Sequence, residues 1–335
     1  MKVLVTGGTG YIGSHTVVEL LNNGHEVIII DNLCNSSKDV VKKIEDITKR
    51  KCKFYEADIR DIEALRKIFE ENKIEAVIHF AGLKAVGESV EKPLEYYDNN
   101  VIGTIKLLEV MREFNCKKIV FSSSATVYGD NGATKYSEDM GRGTPTNPYG
   151  ATKATIEEIL ENIYAAEKDW SISILRYFNP IGAHESGLIG EDPNGIPNNL
   201  MPYIQKVATG ELEKLYIFGN DYNTKDGTGV RDFIHVVDLA VGHIKALEHI
   251  KEPGLYIHNL GTGCGYSVLD IVNTFERVNN IKINHVFAPR RAGDLPEFYA
   301  DPSKAERELG WKAKRGIEEM CKDAWNFAKN SWIYC

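Results

Sequence analysis

The sequence predicts an α/β protein with a doubly wound parallel sheet, and two observations carry this prediction. Short, almost continuously apolar segments alternate with longer amphipathic segments through the first half of the 335-residue chain. Strands that are apolar on both faces indicate a parallel sheet covered by helices on both sides. The second half is richer in turn-forming residues and indicates a smaller, mixed α/β region.

The first half contains six predicted strands separated by five predicted helices. The strands are expected at 2–6, 26–31, 53–57, 75–80, 117–122 and 171–176. The helices are expected near 11–23, 38–49, 61–71, 93–114 and 148–167. Because consecutive parallel strands need a crossover, usually helical, this alternation favours repeated βαβ units.

The character of the chain changes after residue 179. Residues 179–232 are rich in Gly, Pro, Asn and Asp, with one clear helix near 200–209, which is typical of irregular binding structure. Strand and helix patterns return at 233–250 and 255–260 and are expected to rejoin the sheet. The predicted domains are therefore 1–178, with elements near 233–260 returning to it, and an interleaved region, 179–335.

Composition excludes several classes of function. The net charge of −8 gives no electrostatic support for binding nucleic acid. No apolar run approaches the length of a membrane span. The six cysteines form no Cys-x-x-Cys pair, and no His-Glu-x-x-His signature is present. We therefore expect a cytoplasmic protein with reduced thiols and no metal site.

A glycine-rich segment follows the first predicted strand and opens the first helix. It contains Gly7, Gly8, Gly10 and Gly13 within seven residues. Its phasing fits either Gly8-x-Gly10-x-x-Gly13 or Gly7-x-x-Gly10-x-x-Gly13. Such a turn allows a pyrophosphate and the neighbouring strand to approach backbone N–H groups at a helix N-terminus. The segment is thus a candidate dinucleotide-binding loop of the Rossmann type.

Acidic and small residues end the next strands at the same predicted edge. Asp31 ends the second strand, where a carboxylate can accept hydrogen bonds from the adenosine ribose. The next basic residue is Lys38, so no nearby cation awaits a 2′-phosphate, and NAD is favoured over NADP. Asp58 ends the third strand, in position for the adenine, and Phe80-Ala81-Gly82 ends the fourth.

Tyr149 is the candidate catalytic base. Asn147 and Pro148 are a favourable N-cap and first helical residue, which places Tyr149 in the first turn and Lys153 on the same face. A phenol titrates near pH 10, so a tyrosine base near neutrality needs about 4 kcal/mol of help. The Lys153 ammonium, the helix N-terminus and a cationic nicotinamide ring together supply such help.

A second Tyr-x-x-x-Lys pair, Tyr164 and Lys168, lies about four turns further along the same helix. We interpret it as packing and solvent residues, because it is far from the strand ends. The fifth strand instead ends beside Tyr149 in Ser122-Ser123-Ser124, where Ser124 can relay a substrate proton.

These motifs resemble the extended short-chain dehydrogenase/reductase family over nearly the whole chain. The resemblance is carried by TGGTGYIGSH at 6–15, Asp31-Asn32, Phe80-Ala81-Gly82-Leu83-Lys84, SSSATVYG at 122–129, NPYGATK at 147–153 and RYFNPIGAH at 176–184. Four later segments narrow the resemblance to enzymes that act on UDP-sugars: IPNNLMPY at 196–203, IFGNDY at 217–222, GTGVRDFIHV at 227–236 and RRAGDLPEFYA at 290–300.

The resemblance implies a set of site residues. The implied NAD site comprises Gly7, Gly10, Tyr11, Ile12, Gly13, Asp31, Asn32, Asn35, Ser36, Asp58, Ile59, Phe80, Ala81, Gly82, Lys84, Asn99, Ser122, Tyr149, Lys153, Tyr177 and Phe178. The implied UDP-sugar site comprises Ser124, Asn179, Asn199, Leu200, Tyr216, Ile217, Phe218, Arg231, Arg291, Asp294 and Phe298. Tyr149, Lys153 and Ser124 are the implied catalytic residues.

The resemblance also implies an activity: UDP-galactose and UDP-glucose are interconverted by transient oxidation at C4, rotation of the 4-keto sugar and re-reduction. It suggests a homodimer as well. Related 4,6-dehydratases carry an Asp-Glu pair where this chain has Ala125-Thr126. The bulky Phe298 argues against UDP-N-acetylhexosamines, which another UDP-sugar epimerase would also accept. A net redox enzyme and a non-catalytic NAD sensor are the rival hypotheses. Against these, no cysteine lies in a matched motif, and Tyr149 and Lys153 are both present.

Overall fold

A seven-stranded parallel sheet forms the centre of the computed structural model, which describes residues 1–193, 195–291 and 293–333. The strands in chain order are β1 (Lys2–Thr6), β2 (Glu26–Asp31), β3 (Lys53–Glu56), β4 (Ala76–His79), β5 (Lys118–Ser124), β6 (Lys135–Tyr136), β7 (Ser171–Tyr177), β8 (Asn179–Ile181), β9 (Leu215–Phe218), β10 (Val230–Arg231), β11 (Phe233–His235), β12 (Gly254–Leu260), β13 (Tyr266–Ser267), β14 (His285–Ala288) and β15 (Glu297–Ala300). The large sheet has the order β12-β7-β5-β4-β1-β2-β3. This order winds outward in both directions from β1, which confirms the predicted fold class.

The helices follow the predicted alternation through the first half. They are α1 (Tyr11–Asn22), α2 (Asp39–Thr48), α3 (Ile62–Asn72), α4 (Val86–Glu91), α5 (Pro93–Tyr96), α6 (Gly103–Glu113), α7 (Pro148–Ala166), α8 (Leu200–Ala208), α9 (Val236–His249), α10 (Val268–Asn279), α11 (Ser303–Leu309) and α12 (Ile317–Ile333). A π-helical segment, 97–102, joins α5 to α6, so the single helix expected at 93–114 contains an irregular turn. Helix α4 was not predicted.

Two hydrophobic layers cover the faces of the large sheet. Helices α1, α2 and α9 pack on one face, with Val17, Ile44 and Leu239 fully buried. Helices α3, α6 and α7 pack on the other, with Leu65 and Leu107 fully buried. Burial on both faces explains why the strands are almost continuously apolar.

The second half, together with β6 from the first half, forms three small sheets, and it has a separate hydrophobic core. They have the orders β13-β10-β15-β6, β11-β8 and β14-β9. Helices α8, α10 and α12 supply buried residues such as Ile204, Phe275 and Met320. Strand β12 lies beside β7 at the edge of the large sheet and α9 packs on its face, as expected for 255–260 and for most of 233–250. Strand β11 differs from that expectation, because it pairs with β8 rather than with the large sheet.

No helix in the described ranges is both long enough and apolar enough to cross a membrane.

Candidate active site

The glycine-rich turn between β1 and α1 is shaped first by the packing of the chain on itself. Gly7 has a φ of +69°, and a Cβ there would lie 2.8 Å from Ala81 N. A Cβ on Gly8 would lie 2.8 Å from Ile29 Cγ2, and one on Gly13 would overlap Gly7 O. At Gly10 the nearest atom, Gly7 O, is 3.2 Å away. Packing thus requires three of the glycines, and Gly10 is the position most open to a ligand.

The N-terminus of α1 lies within this turn. Its N-cap residue is Gly10, and no side chain caps it within the described residues. First-turn N–H groups without a side-chain cap attract anions, with the helix dipole adding to the attraction. Tyr11 and Ile12, both predicted to bind NAD, form this first turn. The geometry fits a pyrophosphate.

Asp31 lies at the carboxyl end of β2 and braces the loops around it. Its carboxylate accepts hydrogen bonds from Thr9 N (3.1 Å), Leu33 N (2.9 Å) and Ser36 Oγ (3.2 Å). Ser36 also lies 2.7 Å from Thr9 Oγ1 across the two loops. Asn35, predicted for the same site, is exposed next to Ser36. These contacts hold an acid at the sheet edge where a ribose can reach it.

Asp58 lies beyond β3 and forms a pair with Arg60. Its carboxylate accepts from Arg60 Nε (2.9 Å) and Nη2 (2.8 Å) and from Asn32 Nδ2 (2.9 Å). The Arg60 hydrogen bond is the main cause that lowers the pKa of Asp58, so the acid is ionised at neutral pH. Ile59 is buried beside it, against Gly103. Asn32 and Asp58 therefore form one polar edge to the predicted adenine site.

The segment after β4 closes the cofactor edge. Phe80, Ala81 and Gly82 are half-buried between the glycine-rich turn and the π-helical segment. Asn100 holds this segment, since its side chain accepts from Leu83 N (2.7 Å) and donates to Leu83 O (3.0 Å). The predicted cofactor residue Asn99 is buried next to it. Asn100 was missed because its contacts are made across the fold.

Tyr149 and Lys153 lie in the first two turns of α7, and both are buried. The Asn147 side chain accepts from Gly150 N (2.9 Å), as expected of an N-cap. Lys153 Nζ donates to Ser122 O (2.9 Å) and lies 6.0 Å from the Tyr149 ring centre. Burial lowers the pKa of Lys153 to about 8. Burial also raises the pKa of Tyr149, while Ser124 acts in the opposite direction.

The end of β5 supplies hydroxyl groups beside Tyr149. Ser124 Oγ accepts from Thr126 N (3.2 Å) and from Thr126 Oγ1 (2.9 Å). Its own proton is therefore left to donate. His243 Nδ1 donates to Leu239 O (2.9 Å), so its Nε2 is an acceptor, 3.3 Å from the Ser122 hydroxyl. Burial lowers the pKa of His243 to about 4, so the ring is neutral.

The second Tyr-Lys pair lies away from this edge. The Lys168 ammonium sits 4.4 Å above the centre of the Tyr164 ring. Tyr164 packs at the margin of the hydrophobic layer under α7, several turns beyond Tyr149.

Two arginines and an acid converge in the second half. Arg231 Nη1 donates to Val230 O and to Leu295 O, both at 2.8 Å, and Arg231 Nη2 lies 3.7 Å from Asp294 Oδ1. The other Asp294 oxygen accepts from Arg291 Nε (3.0 Å). Asp294 thus bridges the two guanidinium groups. Guanidinium forks of this kind match the oxygens of a pyrophosphate.

Strand β9 presents aromatic rings to solvent near these arginines. Tyr216 and Phe218 are exposed, whereas Ile217 points into the core. The Arg291 guanidinium lies 5.0 Å from the centre of the Phe218 ring. Leu200, at the start of α8, is half-buried against the same core. An exposed ring beside a cation is suited to stacking on a nucleobase.

A buried carboxylate that the sequence analysis missed joins two predicted residues. Glu191 Oε1 accepts from Lys84 Nζ (2.9 Å) and from Asn199 Nδ2 (2.7 Å). The Lys84 ammonium also lies 5.7 Å from the centre of the Tyr11 ring. Glu191 lies in an irregular segment with no periodic pattern, so no sequence signal pointed to it.

The last predicted residues lie between the two halves. Tyr177 ends β7, Phe178 is buried, and Asn179 is exposed at the start of β8. The Phe298 ring centre is 5.2 Å from that of Phe178 and 4.5 Å from that of Tyr136. Phe298 therefore belongs to an aromatic cluster with Phe178 and Tyr136. It also lies directly opposite Arg231, because β15 pairs with β10 in that register.

The chain is similar to known proteins over nearly its whole length. Residues 4–324 match the family model described as GDP-mannose 4,6 dehydratase. The chain is 60% identical over 332 residues to the UDP-glucose 4-epimerase of Haemophilus influenzae, with 99% of this chain and 98% of that protein covered. It is 59% identical over 332 residues to the UDP-glucose 4-epimerase of Bacillus subtilis, with the same coverage. The crystal structure of UDP-glucose 4-epimerase from Bifidobacterium longum in complex with NAD+ and UDP has a TM-score of 0.96 and 53% identity, with 98% of each chain covered.

Proposed function

Because this chain belongs to the UDP-glucose 4-epimerase family, within the wider family described by the GDP-mannose 4,6-dehydratase model, we propose how its residues interconvert UDP-glucose and UDP-galactose. The protein is an NAD-dependent isomerase. The observation that carries the residue assignment is the burial of Tyr149 and Lys153 beside the serines that end β5.

The chain fits NAD at the edge where β1, β2, β3 and β4 end. The α1 N-terminus at Gly10 receives the pyrophosphate, Asp31 the adenosine ribose, and Asp58 with Asn32 the adenine. Bound there, NAD would supply the acceptor, and later the donor, of the hydride at the sugar C4. Phe80, Tyr177 and Phe178 enclose the inner end of the site.

Tyr149 is proposed to remove the proton from the sugar O4 hydroxyl and later to return it. Ser124 has its hydroxyl proton free to donate, so it relays that proton between the substrate and Tyr149. Lys153 is cationic near neutral pH, because burial brings its pKa only to about 8. Its charge favours the phenolate and opposes the burial that raises the pKa of Tyr149.

The UDP group is proposed to be held firmly while the sugar turns. Arg231 and Arg291 bind the pyrophosphate in place of the Asp294 carboxylate that now bridges them, and Asp294 turns to the uridine ribose. Tyr216 to Phe218 contact the uracil, and Asn179, Asn199 and Leu200 line the path to the hexose. Glu191 connects Asn199 to Lys84 of the NAD site. Binding energy from the UDP group keeps the keto sugar within the site while the sugar ring rotates.

The residues after Ser124 favour epimerisation over dehydration. Ala125 and Thr126 stand where an acid pair would be needed to eliminate water, and Thr126 is bound to Ser124. The alternative of a UDP-N-acetylhexosamine epimerase is not favoured by the relatives, which carry the UDP-glucose 4-epimerase name at 55% identity and above. Phe298 supports the same choice through its bulk.

We also propose that the protein is a cytoplasmic homodimer of galactose metabolism. Val86, Val90, Leu94, Tyr97 and Ile102 are exposed on α4, α5 and the π-helical segment. Leu94 and Tyr97 are three residues apart in the helical stretch that runs from α5 into the π-helical segment, and burial against a second copy would remove this exposed patch from water. The described cysteines Cys34, Cys52, Cys116, Cys264 and Cys321 are free thiols, which suits a reducing compartment.

The proposal is tested on the purified protein without added cofactor. We expect NAD to remain bound through gel filtration and UDP-galactose to be converted to UDP-glucose with no net change in nicotinamide absorbance. Sedimentation velocity on the same sample should give the mass of a dimer. Stoichiometric consumption of added NAD would instead identify a net redox enzyme, and tight NAD binding without conversion would identify an NAD sensor.

A further inference from the structure

We infer that Glu157 is a positioning residue of this reaction: its buried carboxylate holds the end of β5 in place beneath Tyr149, and its charge supports the Lys153 ammonium one turn back along α7. The inference rests on the proposed function. Tyr149, Lys153 and Glu157 follow one another at intervals of four residues on α7, and all three are buried. Residues at this spacing share one helical face. Glu157 is therefore the next group on the face that carries the chemistry.

The Glu157 carboxylate joins α7 to the two strands below it. Its Oε1 accepts from Ser123 Oγ on β5 (2.6 Å) and from Arg176 Nε on β7 (3.0 Å). Its Oε2 accepts from Arg176 Nη2 (2.6 Å) and lies 3.5 Å from Arg142 Nη1. Glu157 is completely buried, so each bond matters more than it would at the surface.

The residues on either side of Ser123 are those the reaction uses. Ser122 O accepts from Lys153 Nζ (2.9 Å), and Ser124 carries the hydroxyl beside Tyr149. A shift of Ser123 would displace both neighbours, because they are consecutive in one strand. Glu157 thus reaches the reacting groups through the backbone of β5.

Charge gives a second link between Glu157 and the chemistry. Lys153 also faces His79 on β4, the Phe121 ring on β5 and Tyr149 on its own helix. None of these is an anion: burial lowers the pKa of His79 to about 3, so its ring is neutral. Burial lowers the pKa of Lys153, and Glu157 opposes that effect.

Glu157 and Tyr149 also face groups that can titrate or carry charge. Glu157 faces the cations of Arg176, Arg142 and Lys153. The Arg176 guanidinium also lies 4.8 Å from the centre of the Tyr128 ring. Tyr149 faces Tyr177, Ser124 and Tyr96, of which the two tyrosines are neutral because burial raises the pKa of each.

Removing the Glu157 charge should narrow the pH range of activity from both sides. Without the carboxylate, the pKa of Lys153 falls below about 8, so its ammonium loses a proton at a lower pH. The alkaline limb of the kcat profile then moves to lower pH. With less cationic support, Tyr149 needs a higher pH to act as a base, so the acid limb moves up.

The experiment compares Glu157→Gln, which keeps the shape and removes the charge, with Glu157→Asp, which keeps the charge and shortens the side chain. For Glu157→Gln we expect kcat to fall at least tenfold and the alkaline limb to move down by about one pH unit. Glu157→Asp should keep both limbs near their wild-type positions. Glu161→Gln is the matched control, because Glu161 pairs with the same Arg142 one turn further along α7 and should leave the profile unmoved.

A loss of activity with unmoved limbs in Glu157→Gln would overturn the inference and leave a structural role. If Glu157→Gln does not fold, the double variant Glu157→Leu/Arg176→Met replaces the buried ion pair with apolar side chains, and its alkaline limb should still move down. An unmoved limb there would equally overturn the inference. A wild-type protein without epimerase activity would instead overturn the proposed function on which the inference rests.

Discussion

The two halves of this molecule hold their functional groups in different ways. Around the proposed NAD edge, the strands of the large sheet are four to seven residues long and are joined by continuous parallel ladders. In the proposed UDP-sugar region, the strands are only two to four residues long. Side chains make many of the connections there. The proposed catalytic groups lie on α7 and at the end of β5, against the parallel sheet, whereas the proposed UDP contacts lie on short strands and loops that side chains connect.

Asp232 shows what replaces a ladder in the second half. This buried acid follows Arg231 and accepts from Thr262 N (2.8 Å), Gly263 N (2.9 Å) and Ala300 N (3.1 Å), and also from the Thr262 hydroxyl. One side chain thus connects β10, the loop after β12 and β15. We therefore expect single substitutions in the first half to act on catalysis, and single substitutions in the second half to act on UDP binding.

The largest expected effect tests the first half. Tyr149→Phe should lower kcat at least about a hundredfold, because it removes the proton acceptor while leaving the ring in place. Bound NAD and UDP affinity should remain near wild type, measured by absorbance and calorimetry. Tyr164→Phe is the control and should change kcat little. A larger loss in Tyr164→Phe would mean that the wrong Tyr-Lys pair has been chosen.

An intermediate effect tests the second half. Asp232→Ala leaves three backbone N–H groups without their acceptor and should lower the free energy of unfolding by about 3 kcal/mol. It should also weaken UDP binding by about tenfold, while NAD stays bound at 25 °C, because the large sheet does not depend on Asp232. Asp232→Asn keeps one acceptor oxygen and should lie between the two proteins. Equal loss of NAD and UDP would show that the halves are not separable in this way.

The smallest expected effect concerns the boundary between the halves. Phe298→Cys should raise activity on UDP-N-acetylgalactosamine about tenfold, because a smaller side chain vacates space beside Phe178 and Tyr136. UDP-galactose should remain a good substrate. Tyr299→Cys is the matched control, since adjacent residues of a strand point to opposite faces. Equal wild-type rates on both sugars would contradict a steric role for Phe298.

Local patterns were sufficient for the sheet and its edge. The six strands of the first half, the glycine-rich turn and the capped start of α7 could all be predicted, because apolar periodicity, glycine and N-cap preferences act within a few residues of sequence. The same local reasoning placed Tyr149 and Lys153 on one helical face. The sequence by itself therefore determined the fold class and the candidate base.

Only the tertiary structure decided which distant groups meet. Glu157 pairs with Arg176, nineteen residues away, and Glu191 bridges Lys84, 107 residues away, to Asn199. The short strand β11 joins β8 rather than the large sheet, although its apolar residues suit either place. Such contacts depend on how whole elements pack, and a carboxylate in a helical or irregular segment looks the same in sequence whether it is solvated or buried against an arginine.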